Sequence, residues 1–186
     1  KNGYIDWKLG IPSVALALVG SFVGTSIQLM IDEVYLQYLL LIVLPVVAFV
    51  VLRQRQFPEE RGEIDRRKQC AIVWLASFAV GAYDGFYGPA TGMFLQMSFI
   101  LFAGLDAKKA AGNARIANWA SNFSALANFI RTDNVIYTIA IPCAACSMVG
   151  NWLGSRLAIK KDTRIIRPIM LCVISLLFFK ILLDLL

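Results

Sequence analysis

The stretch YDGFYGPATGMF, Tyr83 to Phe94, places an aspartate, three glycines and a proline inside one of the most apolar parts of the chain. Pro89 suits the first position of a new helix, and Gly85, Gly88 and Gly92 remove side chains where backbones or a ligand must come close. A helix starting at Pro89 would present the free N–H groups of Ala90, Thr91 and Gly92 and the positive end of its dipole. With the Thr91 hydroxyl as an added donor, that is an anion site. Asp84 costs about 3 kcal/mol at the centre of a membrane helix. It reads either as a proton or cation carrier coupled to transport or as an interfacial residue at the outer end of a full span.

A second polar cluster follows in AGNARIANWASNFSALANF, Ala111 to Phe129. Asn118, Ser121, Asn122 and Ala125 recur at the spacing of one helix face, and Asn128 lies one turn beyond Ser124. Such amides and hydroxyls can line a path for an oxyanion, or they can hydrogen-bond neighbouring helices without touching a substrate. Lys109 and Arg115 flank the cytoplasmic end of this stripe.

Other chemistries are poorly served. The chain has no histidine, which removes histidine-metal sites and histidine-based triads. Cys143 and Cys146 form a C-x-x-C pair in IAIPCAACSM, whose small residues suit close helix packing better than thiol chemistry. No catalytic residue, metal ligand or cofactor is expected, and the chain reads as a non-enzyme.

The elements that must position these residues are membrane helices. The 186 residues are 59% hydrophobic with mean hydropathy +0.67, well above a soluble domain. Leu9 to Ile31, Val34 to Leu52, Gly85 to Leu105 and Asn134 to Arg156 hold no acid or lysine, and about 20 apolar residues cross a bilayer. The spacing predicts an all-α integral membrane protein with a charged cytoplasmic linker at 53–69, a hairpin at 70–105 broken at Gly88-Pro89, and helices at 116–131, 135–155 and 168–186. Re-entrant and fully spanning hairpins both fit. Taking the Arg-rich linker RQRQFPEERGEIDRRKQ as cytoplasmic puts every cation except Arg131 and Lys180 on that side, as the positive-inside rule requires. The net charge of +6 is thus a topology signal and calls for no nucleic acid.

Ile11 to Leu52 aligns without a gap on Ile141 to Leu182, pairing Pro12 with Pro142, Gly20 with Gly150, Gly24 with Gly154 and Asp32 with Asp162. Each copy has a proline-led helix with GxxxG, a charged turn and a second apolar helix, so a duplicated unit is expected. Residues 1–52 form the end of the first copy and residues 70–186 the second. The charge assignment sends the GxxxG helix outward in one and inward in the other. Such inverted-topology repeats hold a substrate between them near the midplane of many secondary transporters. The second copy has a preface, Cys70 to Arg131, that the first lacks, so an N-terminal portion of the natural protein is expected upstream of Lys1.

At YDGFYGPATGMFL and Asn118-Trp119-Ala120-Ser121-Asn122 the chain resembles the sulfite exporter TauE/SafE family, whose second-half signature runs Gly-Pro-Gly-Thr-Gly and later Asn-x-x-Ser-Asn. The helices from Gly20 to Leu29 and from Gly150 to Ile159 also resemble the ends of the family's two halves. Ala90 departs from the family's glycine. The resemblance implies a multi-pass protein of the bacterial inner membrane that moves sulfite, organosulfonates or similar anions. The expected site is Asp84, Gly88, Pro89, Ala90, Thr91, Gly92, Asn118, Ser121 and Asn122, with a small anion and the lipid bilayer as partners and a proton or sodium ion as coupling ion. Whether it forms an oligomer stays open. A channel-like or non-transporting membrane interaction protein on the same scaffold is the alternative.

Overall fold

A computed structural model describes residues 5–53 and 64–160 and, near the C-terminus, Cys172, Ser175, Leu176, Phe178 to Lys180 and Leu183. Most of the expected linker and of the expected helix at 168–186 lies outside the described residues. Six helices follow one another: α1 (Trp7–Gln28), α2 (Glu33–Arg53), α3 (Arg66–Phe86), α4 (Thr91–Leu101), α5 (Ala107–Arg131) and α6 (Tyr137–Lys160). There is no strand among the described residues, so the all-helical expectation holds. By length and hydropathy together, α1 alone among the described residues qualifies as a crossing helix.

Helix boundaries follow local chemistry. Asp6 caps α1, accepting from the Lys8 N–H. Asp106 caps α5, accepting from the Lys108 and Lys109 N–H groups at 3.0 Å, as N-cap aspartates do. That cap starts α5 at Ala107 rather than at the expected residue 116, so the stretch from Lys108 to Arg115 is its opening turns and not a loop. α3 likewise starts at Arg66, inside the expected linker. α1 and α6 begin at positions equivalent in the repeat and carry their prolines, Pro12 and Pro142, at the same depth.

The chain forms two compact units, one of residues 1–32 with 55–132, the other of 33–54 with 133–186. These units cut across the repeat, because α1 packs against α3 and α5. Small residues bring α1 and α3 together. A Cβ added to Gly20 would lie 2.3 Å from the Phe78 carbonyl oxygen, and one on Gly24 would lie 2.0 Å from that of Ala82. In return, one on Gly85 would meet the Ser21 carbonyl at 2.0 Å. The GxxxG of α1 therefore interlocks with a second pair in α3, Gly81 and Gly85, and backbones approach where no side chain could stand. Gly150 and Gly154, the repeat equivalents in α6, have nothing within 4 Å.

The interior of this first unit buries small polar side chains beside an apolar cluster of Leu9, Val73, Leu95, Phe99 and Ile100, and its outside carries many large apolar ones. Ser13, Ser21, Thr25, Ser77, Asn113 and Ser121 are fully buried, while Leu75 is 70% and Trp119 68% exposed. That inversion of the soluble pattern fits lipid as the surrounding medium, in which polar groups hold helices together. Ser21 Oγ donates to the Ser121 carbonyl at 2.6 Å, Ser124 Oγ to Leu18 at 2.8 Å, and Asn128 Nδ2 to Ser26 Oγ at 3.1 Å. Ser124 and Asn128 thus join α5 to α1, the helix-bonding reading of the polar stripe.

Candidate functional site

The break between α3 and α4 is a turn built on two left-handed residues. α3 ends at Phe86, and the Tyr87 and Gly88 N–H groups both fold back on the Tyr83 carbonyl, at 2.7 and 3.3 Å. Gly88 has φ 86° and Ala90 φ 65°. α4 starts at Thr91 and not at Pro89, because Ala90 in the left-handed region breaks the helical run and becomes the N-cap. Pro89 stays in the turn, where its carbonyl accepts from the Tyr83 hydroxyl at 2.9 Å. The Tyr83 ring also stands edge-on to Phe94, 5.5 Å between centroids, so one side chain pins the loop and the first turn of α4.

The donors at this helix start differ from those expected. The Thr91 hydroxyl gives its hydrogen to the Gly88 carbonyl at 2.7 Å, and the Thr91 N–H points to the same oxygen at 3.4 Å. Thr91 is therefore occupied in shaping the turn, with no side-chain hydrogen left for a ligand. Ala90 has no side chain that could cap the helix, and the Ala90 and Gly92 N–H groups meet no acceptor among the described residues.

Both residues belong to the wall of a cavity of about 540 Å³ whose lining includes Asp84, Gly85, Tyr87, Gly88, Ala90, Thr91, Gly92, Asn118 and Asn122. Seven of the nine expected site residues line it. Pro89 and Ser121 do not, Pro89 because its carbonyl turns to Tyr83 and Ser121 because it is buried against α1. Asp84 occupies the last turn of α3 and is tied to α5: Ser121 Oγ donates to its Oδ2, and Asn122 Nδ2 reaches the same oxygen at 3.2 Å. The other Asn122 amide hydrogen goes to the Asn118 carbonyl at 2.7 Å. Asn118 itself makes no side-chain hydrogen bond to a described residue, and its carboxamide lies 3.9 Å from where a Gly92 Cβ would be. Of the two amides, Asn118 is the one with donors to spare.

Gln28, at the C-terminal end of α1, also lines the cavity, with Phe86, Ala125 and Phe129. Sequence reasoning missed Gln28. The available signal was an amide ending an otherwise apolar GxxxG helix, in GTSIQ. Arg115 and Lys109 are exposed and are not part of the lining, and no cation is. The site can offer an oxyanion two backbone N–H groups, a helix start and neutral amides.

Comparison with known proteins agrees with this architecture. The chain is similar to a probable membrane transporter protein, YfcA, of Escherichia coli (strain K12), 31% identical over 183 residues that make up 96% of this chain and 65% of the relative. It is also similar to the probable membrane transporter protein ORF9 of Sinorhizobium sp, 24% identical over 99% of this chain and 70% of that one. A third, from Haemophilus influenzae, is 26% identical over 89% of this chain and 65% of the relative. The chain thus spans just under two thirds of the first of these relatives. No solved structure matches it. The model of the sulfite exporter TauE/SafE family matches residues 1–181, the broken hairpin and the Asn118 helix included, and the chain belongs to that family.

Proposed function

We propose that this chain is part of a secondary transporter of small sulfur-containing oxyanions such as sulfite or organosulfonates, embedded in the bacterial inner membrane. The observation that carries the reading is the start of α4, where Ala90 and Gly92, whose N–H groups have no acceptor among the described residues, line a cavity that Asn118 also lines. A helix start with free donors favours negative charge, and neutral donors hold an anion loosely enough to release it again. Irregular backbone at membrane depth is tolerated where it lines a wet cavity, which supports a deep position for the turn. α4 has 11 residues, or about 16 Å, roughly half of a hydrocarbon core, which favours a re-entrant hairpin. The cavity is larger than a bare sulfite needs and leaves room for a short organic tail or for water.

The repeat supplies the expected complement. In an inverted-repeat transporter the site lies between equivalent broken helices. The test uses the complete transporter in proteoliposomes, with saturable uptake of sulfite, thiosulfate, sulfoacetate and taurine as the readout. Thr91→Val, which removes the hydroxyl that holds the turn through the Gly88 carbonyl, together with Asn118→Leu, which removes the amide with donors to spare, is expected to lower uptake of the preferred anion at least tenfold, and that anion should raise thermal stability as RT ln(1 + [L]/Kd). Flux unchanged by the double substitution removes the site assignment. Flux that never saturates favours a channel, and no flux or stabilisation with any anion favours the non-transporting alternative.

A further inference from the structure

An anion cavity with a carboxylate in its wall and no cation beside it has an electrostatic conflict. Asp84 lines the same space as the Ala90 and Gly92 donors, and like charges at close range in a poorly solvated site repel strongly. No element packed on α3 brings a balancing charge to this lining. α1 contributes Gln28 to the lining and no ionisable group, α4 contains no ionisable residue at all, and α5 contributes Asn118 and Asn122. The cations of α5 that flank these lining residues in sequence, Arg115 and Arg131, are exposed and outside the lining, and the ion pairs among the described residues, Arg66 with Asp6 and Lys109 with Asp106, involve neither Asp84 nor the lining. On α3 itself the titratable neighbours are Tyr83, whose hydroxyl is given to the Pro89 carbonyl, and Tyr87.

The hydrogen-bond geometry around Asp84 serves both of its protonation states. As a carboxylate it accepts from Ser121 Oγ and Asn122 Nδ2. Ser121 Oγ has a second acceptor in reach, the Asn118 carbonyl at 3.0 Å. A serine hydroxyl carries one hydrogen and rotates freely, so when Asp84 is protonated, Ser121 can turn its hydrogen to Asn118 and accept from the acid. Neither state leaves a buried polar atom orphaned, which would otherwise cost about 1–3 kcal/mol.

We propose that Asp84 binds a proton together with the anion, so that the cavity loads and unloads the two as a pair. The inference rests on the anion-site reading above. The proton comes from the aqueous side to which the cavity is open, forms the O–H bond on the Asp84 carboxylate, and returns to water as the anion leaves. No bond to the anion is made or broken.

The test is equilibrium binding of labelled thiosulfate to the complete transporter in sodium-free buffer between about pH 5.5 and 8, a range across which thiosulfate keeps its charge. For one coupled proton the apparent affinity should fall as pH rises, by up to about tenfold per unit. Calorimetry in buffers of different ionisation enthalpy should count about one proton taken up per thiosulfate bound. Asp84→Asn, neutral and of the same shape, should bind with no pH slope and take up no proton. Wild-type binding that ignores pH, or that depends on sodium instead, overturns the proton while leaving the anion site standing, and so does a pH slope that persists in Asp84→Asn. Should that variant fail to fold, the wild-type proton count decides alone. Absence of binding at any pH brings down the anion-site reading and this inference with it.

Discussion

Gly24 and Gly154 align in the gapless match of Ile11 to Leu52 with Ile141 to Leu182 and should respond to alanine with opposite signs. A Cβ on Gly24 would sit 2.0 Å from the Ala82 carbonyl oxygen and 2.9 Å from the Phe86 nitrogen, both backbone atoms with no rotamer to yield. Ordinary contact, which begins at 3.4 Å, would need the first of these atom pairs to part by at least 3.4 − 2.0 = 1.4 Å, the overpacking class that costs about 1–3 kcal/mol. Separation also strains the Thr25 Oγ1 bond to the Gly85 carbonyl, 3.1 Å long and worth about 1 kcal/mol. Against this, alanine gains about 1 kcal/mol over glycine in a helix. Gly24→Ala should therefore lose about 1–3 kcal/mol, and Gly154→Ala, with nothing within 4 Å, should gain up to about 1 kcal/mol. The assay is thermal unfolding of the 186-residue chain in mild detergent at one scan rate, where each kcal/mol moves the midpoint by about 2–4 °C. A Gly24→Ala variant as stable as wild type, or shifts of one sign at both positions, would refute the interlocked-glycine account of α1 and α3.

Two further outcomes follow from local geometry. Ala90 holds φ 65°, a conformation costing a non-glycine residue about 1–2 kcal/mol; Ala90→Gly recovers this less about 0.4–1 kcal/mol of unfolded-state entropy, so it should stabilise slightly, whereas Ala90→Val should destabilise, and a harmless valine in the same melting assay would contradict the left-handed turn. At the membrane edge, the Arg66 guanidinium, 2.5 Å away, holds the Asp6 carboxyl below the usual aspartate range. The folded value being the lower one, the pair stabilises the fold above the unfolded aspartate value near 4 and is lost as pH falls through the folded value. Arg66→Gln should then cost less than about 1 kcal/mol at neutral pH, since Arg66 is 53% exposed and screened, and the two melting curves should converge in acid; a constant difference across pH would show that the charge pair is not its source.

Much of the helical plan was legible because lipid imposes a coarse rule: long charge-free runs separated by charged turns. The break at Gly88-Pro89 was legible for the same reason, as glycine, proline and aspartate have few uses inside such a run. What sequence could not supply was the direction of each hydrogen. Thr91 and Asn122 looked like donors to a ligand, yet Gly88 O takes the Thr91 hydrogen and Asp84 and Asn118 O take those of Asn122. Nor could it reveal that α3 carries its own Gly81 and Gly85 pair facing α1, since in GAYDGF the second glycine reads as part of the turn. The polar stripe of α5 proved to be two faces: Asn118 and Asn122 look into the cavity, while Ser124 and Asn128 bind α1. A spacing of four residues cannot separate faces that differ by a fraction of a turn.

The expected repeat pairs glycines and prolines along α1 and α6 and leaves the polar positions unmatched. Of the positions that match in the alignment, Pro12 with Pro142, Gly20 with Gly150 and Gly24 with Gly154, the glycines of α1 set how closely it approaches α3, while Gly150 and Gly154 meet nothing within 4 Å. Positions of α1 that reach the polar interior do not match: Ser21 faces Asn151 in the other copy, Thr25 faces Ser155, and Gln28, which lines the cavity, faces Ala158. The close contact of α1 with α3 is also what carries Gln28 to the cavity, because Gly24 lies one turn before it. The amide at residue 28 thus depends on a glycine that never touches the site.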